Sequence, residues 1–223
     1  MRRKIGIAAA LLVFGVLVGL GVWQTERRAW KHALIARVEA GLAAPPRPLD
    51  ATPDADAAWR RVSATGQWLV DGLVRIAPRT LDGKVGADYA APLRLADGGA
   101  VVVLLGWAPD GGAAPDLPDG PAEVEGVLAP APEPSLFTPD NVPPDQWLWL
   151  DPPAIAAAAG VAAARTSPLV LKLTTPPPGL APVPARPNIV DNHLQYAFTW
   201  FGLAAAWAVV AVLLFRRRRP AQP

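Results

Sequence analysis

Two long apolar runs, one near each end of the chain, constrain the fold more than any other feature. They cover residues 5–23 and 194–215, and neither contains Asp, Glu, Lys or Arg. A helix needs about 20 apolar residues to cross the hydrocarbon core of a bilayer. Within that core, every backbone amide must be paired inside the protein. The two runs therefore predict two membrane-spanning helices, with the residues between them on one side of the membrane.

The basic residues beside these runs predict the orientation of the chain. Residues 2–4 are Arg, Arg and Lys, and residues 216–219 are all Arg. Because positive residues that adjoin a span tend to stay on the cytoplasmic side, both termini are predicted to be cytoplasmic. A cleaved signal peptide is the alternative for the first run, but signal h-regions are shorter, about 7 to 15 residues, and end in small residues. With no feature of a transit peptide, the prediction is a bacterial inner membrane protein with a periplasmic central domain.

The helical pattern continues beyond the first run. Trp30, Leu34, Val38 and Leu42 recur at every fourth position until prolines follow at 45–46, which predicts a helical stalk. The predicted segments are a cytoplasmic N-terminus at 1–4, a transmembrane helix at 5–23, the stalk at 24–44, a periplasmic β-rich domain at 45–190, a second transmembrane helix at 191–215 and a cytoplasmic basic tail at 216–223.

The central domain is predicted to be built mainly from strands. The chain contains 27 Pro and 19 Gly, and several dense groups of them interrupt the middle too often for long helices. Strand patterns occur at residues 59–65, 73–77, 89–95, 100–107, 123–128 and 169–174. Asp97-Gly98-Gly99 predicts a hairpin turn, and Asp151 is placed to cap a short helix at 152–159. The fold class is thus a membrane protein whose two terminal transmembrane α-helices flank a mainly antiparallel β (α+β) domain, either an open sheet or a partly closed barrel.

Composition excludes several classes of function. The chain has no Cys, so thiolate metal sites, disulfides and cysteine nucleophiles are absent, and Met1 is its single Met, which argues against copper(I) carriage. The net charge of +2 owes much to the terminal basic clusters, which argues against a nucleic-acid surface. An exported hydrolase is the competing enzyme hypothesis. Both histidines lie near the predicted spans, so a Ser-His pair inside the domain is not available. No enzymatic activity is therefore predicted.

Two segments next to the apolar runs carry a family resemblance. Residues 21–31 are GVWQTERRAWK and residues 192–201 are NHLQYAFTWF, with weaker matches at Gly66, 104–109 (LLGWAP) and 147–151 (WLWLD). Together they resemble the SURF1 (Shy1) family over nearly the whole chain. The chain departs from the family pattern at Leu105, where Arg is usual, and at Asp191, where Asn is usual.

The resemblance implies an assembly factor for haem-copper cytochrome c oxidase that assists haem a insertion into subunit I, without being a catalyst. Subunit I is then the expected partner, with haem a synthase as a further candidate. The alternative is a two-span membrane scaffold that recruits other membrane proteins without binding haem. Purified scaffold would be colourless, whereas a haem-binding factor would not.

His193, at the outer end of the second run, is the candidate axial ligand of the haem iron, because imidazole is a common haem ligand. Tyr196 and Trp200 share a helix face with it and could flank the macrocycle. The competing interpretation is that the aromatic residues are interface anchors and that Asn192 and Gln195 form a capping box. His32 is predicted to be a solvated stalk residue.

Further residues are candidates for contact or packing. Trp23, Gln24 and Arg27, with Asn192 and Gln195, are the candidates for interaction with the oxidase, although lipid anchoring also accounts for Trp23 and Arg27. Gly15 and Gly19 form a GxxxG pair that could pack on small residues of the second span. Five tryptophans of the domain are predicted to lie in its core, namely Trp59, Trp68, Trp107, Trp147 and Trp149.

Overall fold

A computed structural model describes residues 2–118, 120–186 and 191–217. The predicted basic tail from Arg218 onward and the predicted end of the β-rich domain at residue 190 lie outside the described residues. The helices and strands are, in chain order, α1 (Arg2–Ala43), β1 (Arg47–Leu49), β2 (Arg61–Trp68), β3 (Val74–Leu81), β4 (Lys84–Arg94), β5 (Ala100–Pro109), β6 (Pro121–Pro130), α2 (Pro152–Ala158), β7 (Thr166–Leu173) and α3 (His193–Arg217). Short 3₁₀ helices lie at Ala55–Ala57, Val70–Gly72 and Ala163–Arg165.

The chain divides into two compact units. The helix unit holds α1 as far as Arg37 together with α3, and the sheet unit runs from Val38 through the loop after β7. In the helix unit, both helices are long and apolar enough to cross a membrane by length and composition. The prediction of an apolar helix at each end is confirmed. Helix α1 extends well past the first apolar run and ends just before the prolines at 45–46, since proline disfavours a helical conformation in the residue before it.

The two helices pack through residues other than the predicted GxxxG pair. A Cβ atom placed on Gly21 would come 2.6 Å from the ring of Phe201, and the indole nitrogen of Trp207 donates a hydrogen bond of 2.9 Å to the carbonyl of Ala10. A Cβ atom on Gly15 or Gly19 would meet nothing within 4 Å. The prediction that Gly15 and Gly19 pack against α3 is therefore wrong. A glycine is required where the two helices approach each other closely, and that position is Gly21.

We expect Gly21→Leu to weaken the packing of α1 on α3, because the new side chain would overlap the Phe201 ring. Overpacking of this kind costs about 1–3 kcal/mol. Because the chain has no native Cys, the packing can be followed by crosslinking of two cysteines introduced beside Ala10 and Trp207. The crosslink yield should fall in Gly21→Leu and stay unchanged in the matched control Gly15→Leu. An equal loss in both variants would contradict the observed contact.

The strands of the sheet unit form one seven-stranded sheet in the order β1-β2-β6-β7-β5-β4-β3. A further pairing joins Gln67 and Trp68 of β2 to Arg94 and Leu93 of β4. Strands β2, β6, β7, β5 and β4 therefore close into a ring, while β1 and β3 lie outside it. Of the two architectures left open by the sequence, the partly closed barrel is the one adopted.

The sheet is mixed and not purely antiparallel, although most of its pairings are antiparallel as expected. Strands β1 and β2 run parallel, as do β5 and β7. The other pairings are antiparallel, including the β4–β5 hairpin around Asp97. The parallel pairing of β5 and β7 arises because β6 and α2 lie between them in the sequence. The chain therefore returns to β5 by a long crossover and not by a tight turn.

Two hydrophobic clusters lie on the two faces of this sheet. Alternate residues of β5 enter different clusters, with Val101, Val103 and Leu105 in one and Val102 and Leu104 in the other. The second cluster is covered by α2, through Ile155, and by Trp147 and Leu150 from the preceding loop. Among the tryptophans predicted to be core residues, Trp68, Trp107 and Trp147 are buried, and Trp59 and Trp149 are half-buried. Helix α2 begins after Asp151, whose carboxylate accepts a hydrogen bond from the amide of Ala154, as predicted.

Asp97 stabilises the turn between β4 and β5 through both carboxylate oxygens. The amide of Thr52 donates to one oxygen at 2.8 Å and the amide of Gly99 to the other at 2.9 Å. These two backbone hydrogen bonds lower the pKa of Asp97 from its ordinary value of 3.8, and the bond from Thr52 has the larger effect. The ionised carboxylate therefore favours the folded state.

Because the folded pKa of Asp97 is depressed, its contribution to stability is present above 3.8 and is lost as the pH falls through the folded pKa. We expect Asp97→Asn to lower the free energy of unfolding at neutral pH by about 0.5 kcal/mol, a small value because the group is exposed and screened. The difference between wild type and variant should shrink in acid. Urea unfolding at several pH values measures it, and a constant difference would contradict the assignment.

Candidate functional site

His193 is the first residue of α3 and lies against Gln24 of α1. Its ring nitrogen Nδ1 is 2.7 Å from the Oε1 atom of Gln24, whose side chain is only 8% exposed. An amide oxygen can only accept a hydrogen bond. Nδ1 is therefore the donor in this contact, and in a neutral imidazole Nε2 is then the nitrogen without a proton.

This arrangement suits a histidine that binds a metal ion. Metal-binding histidines almost always donate their second ring N–H to a protein acceptor, which fixes the tautomer and the ring orientation. Gln24 provides that acceptor, and within the described parts of the chain no hydrogen-bond partner occupies Nε2 of His193. The residues present therefore fit an imidazole ligand for haem iron. Among the described residues, no three His, Cys, Asp or Glu side chains form a cluster of their own that could hold a metal ion.

Asp191 organises a second set of contacts at the same end of α3. Its Oδ1 atom accepts a hydrogen bond of 3.1 Å from the amide of His193, the first residue of the helix. Its Oδ2 atom lies 2.9 Å from Nε2 of His32 and 3.9 Å from Nε of Arg28. His32 is exposed, as predicted for a solvated stalk residue, and its ring also pairs with Asp191.

The residues of α1 that meet the start of α3 are spaced four apart, at Gln24, Arg28 and His32, so they lie on one helix face. That spacing was available in the sequence, but nothing in it identified Asp191 as the common partner of Arg28 and His32. Asp191 also supplies the side-chain oxygen that accepts from the first helical amide, in place of the capping box suggested for Asn192 and Gln195. Both of these residues are exposed.

The predicted aromatic face of α3 is only partly available to a ligand. Ala197 and Ala204 are buried, and Trp207 donates its indole N–H to α1. Tyr196, with 54% of its surface exposed, and the half-buried Trp200 lie beside this packed face. The part of the face near His193 thus offers two aromatic side chains, while the alanines further along contribute to helix packing.

Trp23 and Arg27 extend the exposed surface of α1 next to Gln24. Trp23 is more than half exposed, and the guanidinium carbon of Arg27 lies 4.2 Å from the ring centroid of Trp30. At this distance the cation is attracted to the aromatic face. This stretch of helix therefore presents one positive charge, from Arg27, and two indole rings, from Trp23 and Trp30. Such a surface suits contact with an anionic or aromatic group.

The sheet unit contains a separate group of charges. Asp88 of β4 lies 3.3 Å from Arg79 of β3, and burial raises the pKa of Asp88 in spite of the nearby charges of Arg79 and Lys172. Burial likewise lowers the pKa of Lys172, whose amine donates to the carbonyl of Pro184. Each charged group here has a protein partner, so these residues are better placed to order the sheet than to receive a ligand.

Comparisons with known proteins identify the family of this chain. The model of the SURF1 family matches residues 11–205. The SURF1-like protein of Monosiga brevicollis is 32% identical to this chain over 98% of the chain and 90% of its own length. Surfeit locus protein 1 of Mus musculus is 28% identical over 94% of the chain and 76% of its own length, and the SURF1-like protein of Drosophila melanogaster is 30% identical over 88% and 73%. The chain therefore belongs to the SURF1 family, and this membership implies a role in the assembly of cytochrome c oxidase.

Proposed function

We propose that this protein assists the insertion of haem a into subunit I of a haem-copper cytochrome c oxidase, as an assembly factor and not as an enzyme. The observation that supports this most is the orientation of His193, with Nδ1 bonded to Gln24 and with no hydrogen-bond partner at Nε2 among the described residues. Haem a supplies an iron that can accept an imidazole nitrogen. His193 is the residue we propose to bind it, transiently, before the haem reaches the oxidase.

The neighbouring side chains take complementary roles in this proposal. Gln24 holds the His193 ring in one tautomer and one orientation. Tyr196 and Trp200 would pack against the macrocycle, since aromatic side chains pack well against flat conjugated rings. Trp23 and Arg27, with the exposed Asn192 and Gln195, are left for contact with subunit I. Haem a synthase is a further partner in this scheme, as the source of the haem.

The proposed location is a membrane crossed twice. We infer that both termini are cytoplasmic and that the sheet unit lies on the outer side of a bacterial inner membrane, from the terminal basic residues and the two apolar helices. The relatives named above come from eukaryotes, so the bacterial compartment rests on the sequence features alone. A reporter fused after residue 223 that proves to lie on the outer side of the membrane would overturn the orientation.

Deleting the gene and recording the reduced-minus-oxidised absorbance of the membranes tests the proposed function. The haem a signal of the oxidase should fall strongly, and a plasmid copy of the gene should restore it. A normal haem a signal in the deletion strain would refute a role in haem a insertion and leave the scaffold as the better account.

A further inference from the structure

A turn in the sheet unit exposes two large apolar side chains. Leu136 is 100% exposed and Phe137 is 93% exposed, and they are the two central residues of a turn spanning positions 135–138, after β6. Central turn positions usually carry Gly, Pro, Asn, Asp or Ser, whose backbones and side chains suit the turn. Leu and Phe offer no such advantage, and neither side chain is buried against the described residues. A contact with another molecule would explain why they are present.

The turn is ordered by its own hydrogen bonds. The amide of Thr138 donates to the carbonyl of Ser135 at 3.0 Å, and the amide of Ser135 donates to the hydroxyl of Thr138 at 3.1 Å. The two hydroxyls are 2.9 Å apart, and the amide of Phe137 donates to the Ser135 hydroxyl. Pro134 and Pro139 restrict the backbone on either side. Such preorganisation lowers the entropy cost of binding.

The segment after the turn is anchored firmly to the sheet. The side-chain oxygen of Asn141 accepts hydrogen bonds from the amides of Leu148 and Trp149, and its NH₂ group donates to the carbonyl of Trp149. The buried Trp147 pairs with Ile76 of β3. The apolar pair is therefore mounted on a fixed loop and not on a free tail.

The charge around the turn indicates what kind of surface would receive it. Glu133 and Asp140, the acids nearest the turn in the sequence, are both exposed, and residues 131–146 contain no Lys, Arg or His. An anionic lipid surface would repel these carboxylates, because such a surface attracts basic segments. A protein surface with an apolar pocket and a basic rim would match both the apolar pair and its acidic surroundings.

We propose that the Leu136-Phe137 turn docks into an apolar pocket, rimmed by Lys and Arg, on a protein partner. The identity of that partner rests on the proposed function, which makes it the cytochrome c oxidase assembly intermediate that contains subunit I. The two side chains act as the buried anchor of the contact, and Glu133 and Asp140 pair with the basic rim. Contacts of this type usually depend on a few central apolar residues.

Complementation of the deletion strain with full-length variants tests the docking. Leu136→Ser/Phe137→Ser should lower coprecipitation of subunit I about tenfold or more, the loss expected for a hot-spot pair, and lower the haem a signal of the membranes. The matched control is Val85→Ser, which removes a 55% exposed apolar side chain elsewhere in the same unit. It should behave as wild type. Raising the salt concentration should weaken wild-type coprecipitation, because rim charges are screened.

A photo-crosslinking residue in place of Phe137, in the otherwise wild-type chain, provides a readout that does not depend on the serine variants folding. Crosslinks to subunit I beside Lys or Arg residues would support the proposal. Crosslinks to lipid, or full complementation by the double serine variant without crosslinks to the oxidase, would overturn the docking while leaving the proposed function intact. A normal haem a signal in the deletion strain itself would overturn the proposed function, and this named partner with it.

Discussion

Replacing His193 by alanine is expected to abolish haem binding by this protein. Purified from cells that make haem a, the wild type should show a low-spin haem absorbance spectrum, and His193→Ala should be nearly colourless. The physical reason is that Nε2 of His193, which has no partner among the described residues, is the nitrogen we propose to bind the iron, and its removal takes that ligand away. The ratio of haem absorbance to protein, measured in the same detergent, gives the loss directly.

His32→Ala is the matched control for that experiment. It removes the only other histidine of the chain, whose ring is paired with Asp191, and should leave the haem content close to that of wild type. Unchanged haem content in His193→Ala, or an equal loss in His32→Ala, would remove His193 from the ligand role. A colourless wild-type protein would favour the scaffold hypothesis.

Gln24 offers a graded test of the same site. Gln24→Leu removes the acceptor of the Nδ1 hydrogen bond and should weaken haem binding by about 10- to 100-fold, as for other groups that hydrogen-bond to a metal-binding histidine. Gln24→Glu keeps an oxygen at this position and should retain much of the affinity. A purely structural role would make both variants lose haem alike, so the difference between them identifies Gln24 as a positioning residue.

The elements with strong local patterns could be predicted from the sequence. The apolar run at 5–23, the turn glycines at 98–99 and the Asp151 cap each depend on neighbouring residues, and each leads to the expected element. The hairpin between β3 and β4 shows a signal that was available and overlooked. Asp82 and Gly83 connect the two strands with positive φ angles of 49° and 76°, which is the conformation that an Asp-Gly hairpin turn adopts.

The parallel pairings could not be predicted in the same way. Residues 169–174 indicate a strand, but its position between β5 and β6 depends on how the chain crosses after α2, a non-local choice that no short pattern encodes. Strand β1, at Arg47–Leu49, is too short to produce an alternating pattern. The sequence therefore indicated most of the strands, while their neighbours and directions required the structure.

The candidate site divides along the same line. His193 stood out because histidine is rare here and because a family resemblance covers its segment. Its partner Gln24 lies 169 residues away, so their hydrogen bond is a consequence of how α1 and α3 pack. The same holds for the pairing of His32 with Asp191. Glycine spacing suggested Gly15 and Gly19 as the contact between helices, but spacing does not reveal which side of a helix faces its partner, and Gly21 is the residue that does.

The largest effect on stability is expected from Trp147→Ala. Trp147 is only 4% exposed and packs in the second hydrophobic cluster with Ile76 and Ile155. Its indole nitrogen donates to the carbonyl of Pro144, and its own carbonyl accepts from the amide of Ala77. Truncating a buried tryptophan to alanine costs about 3–5 kcal/mol, a large share of the 5–15 kcal/mol typical of a folded protein. Urea unfolding of the full chain in detergent, followed by near-UV circular dichroism, measures the change.

Phe137→Ala is the matched control, because it truncates an aromatic side chain of the same loop that is almost fully exposed. A surface substitution of this kind should change the free energy of unfolding by no more than about 0.5 kcal/mol. The contrast between the two variants separates a side chain that holds the domain together from one that waits for a partner. If Phe137→Ala destabilised the protein as much as Trp147→Ala, Phe137 would have to be buried within the chain, and the docking turn would lose its physical basis.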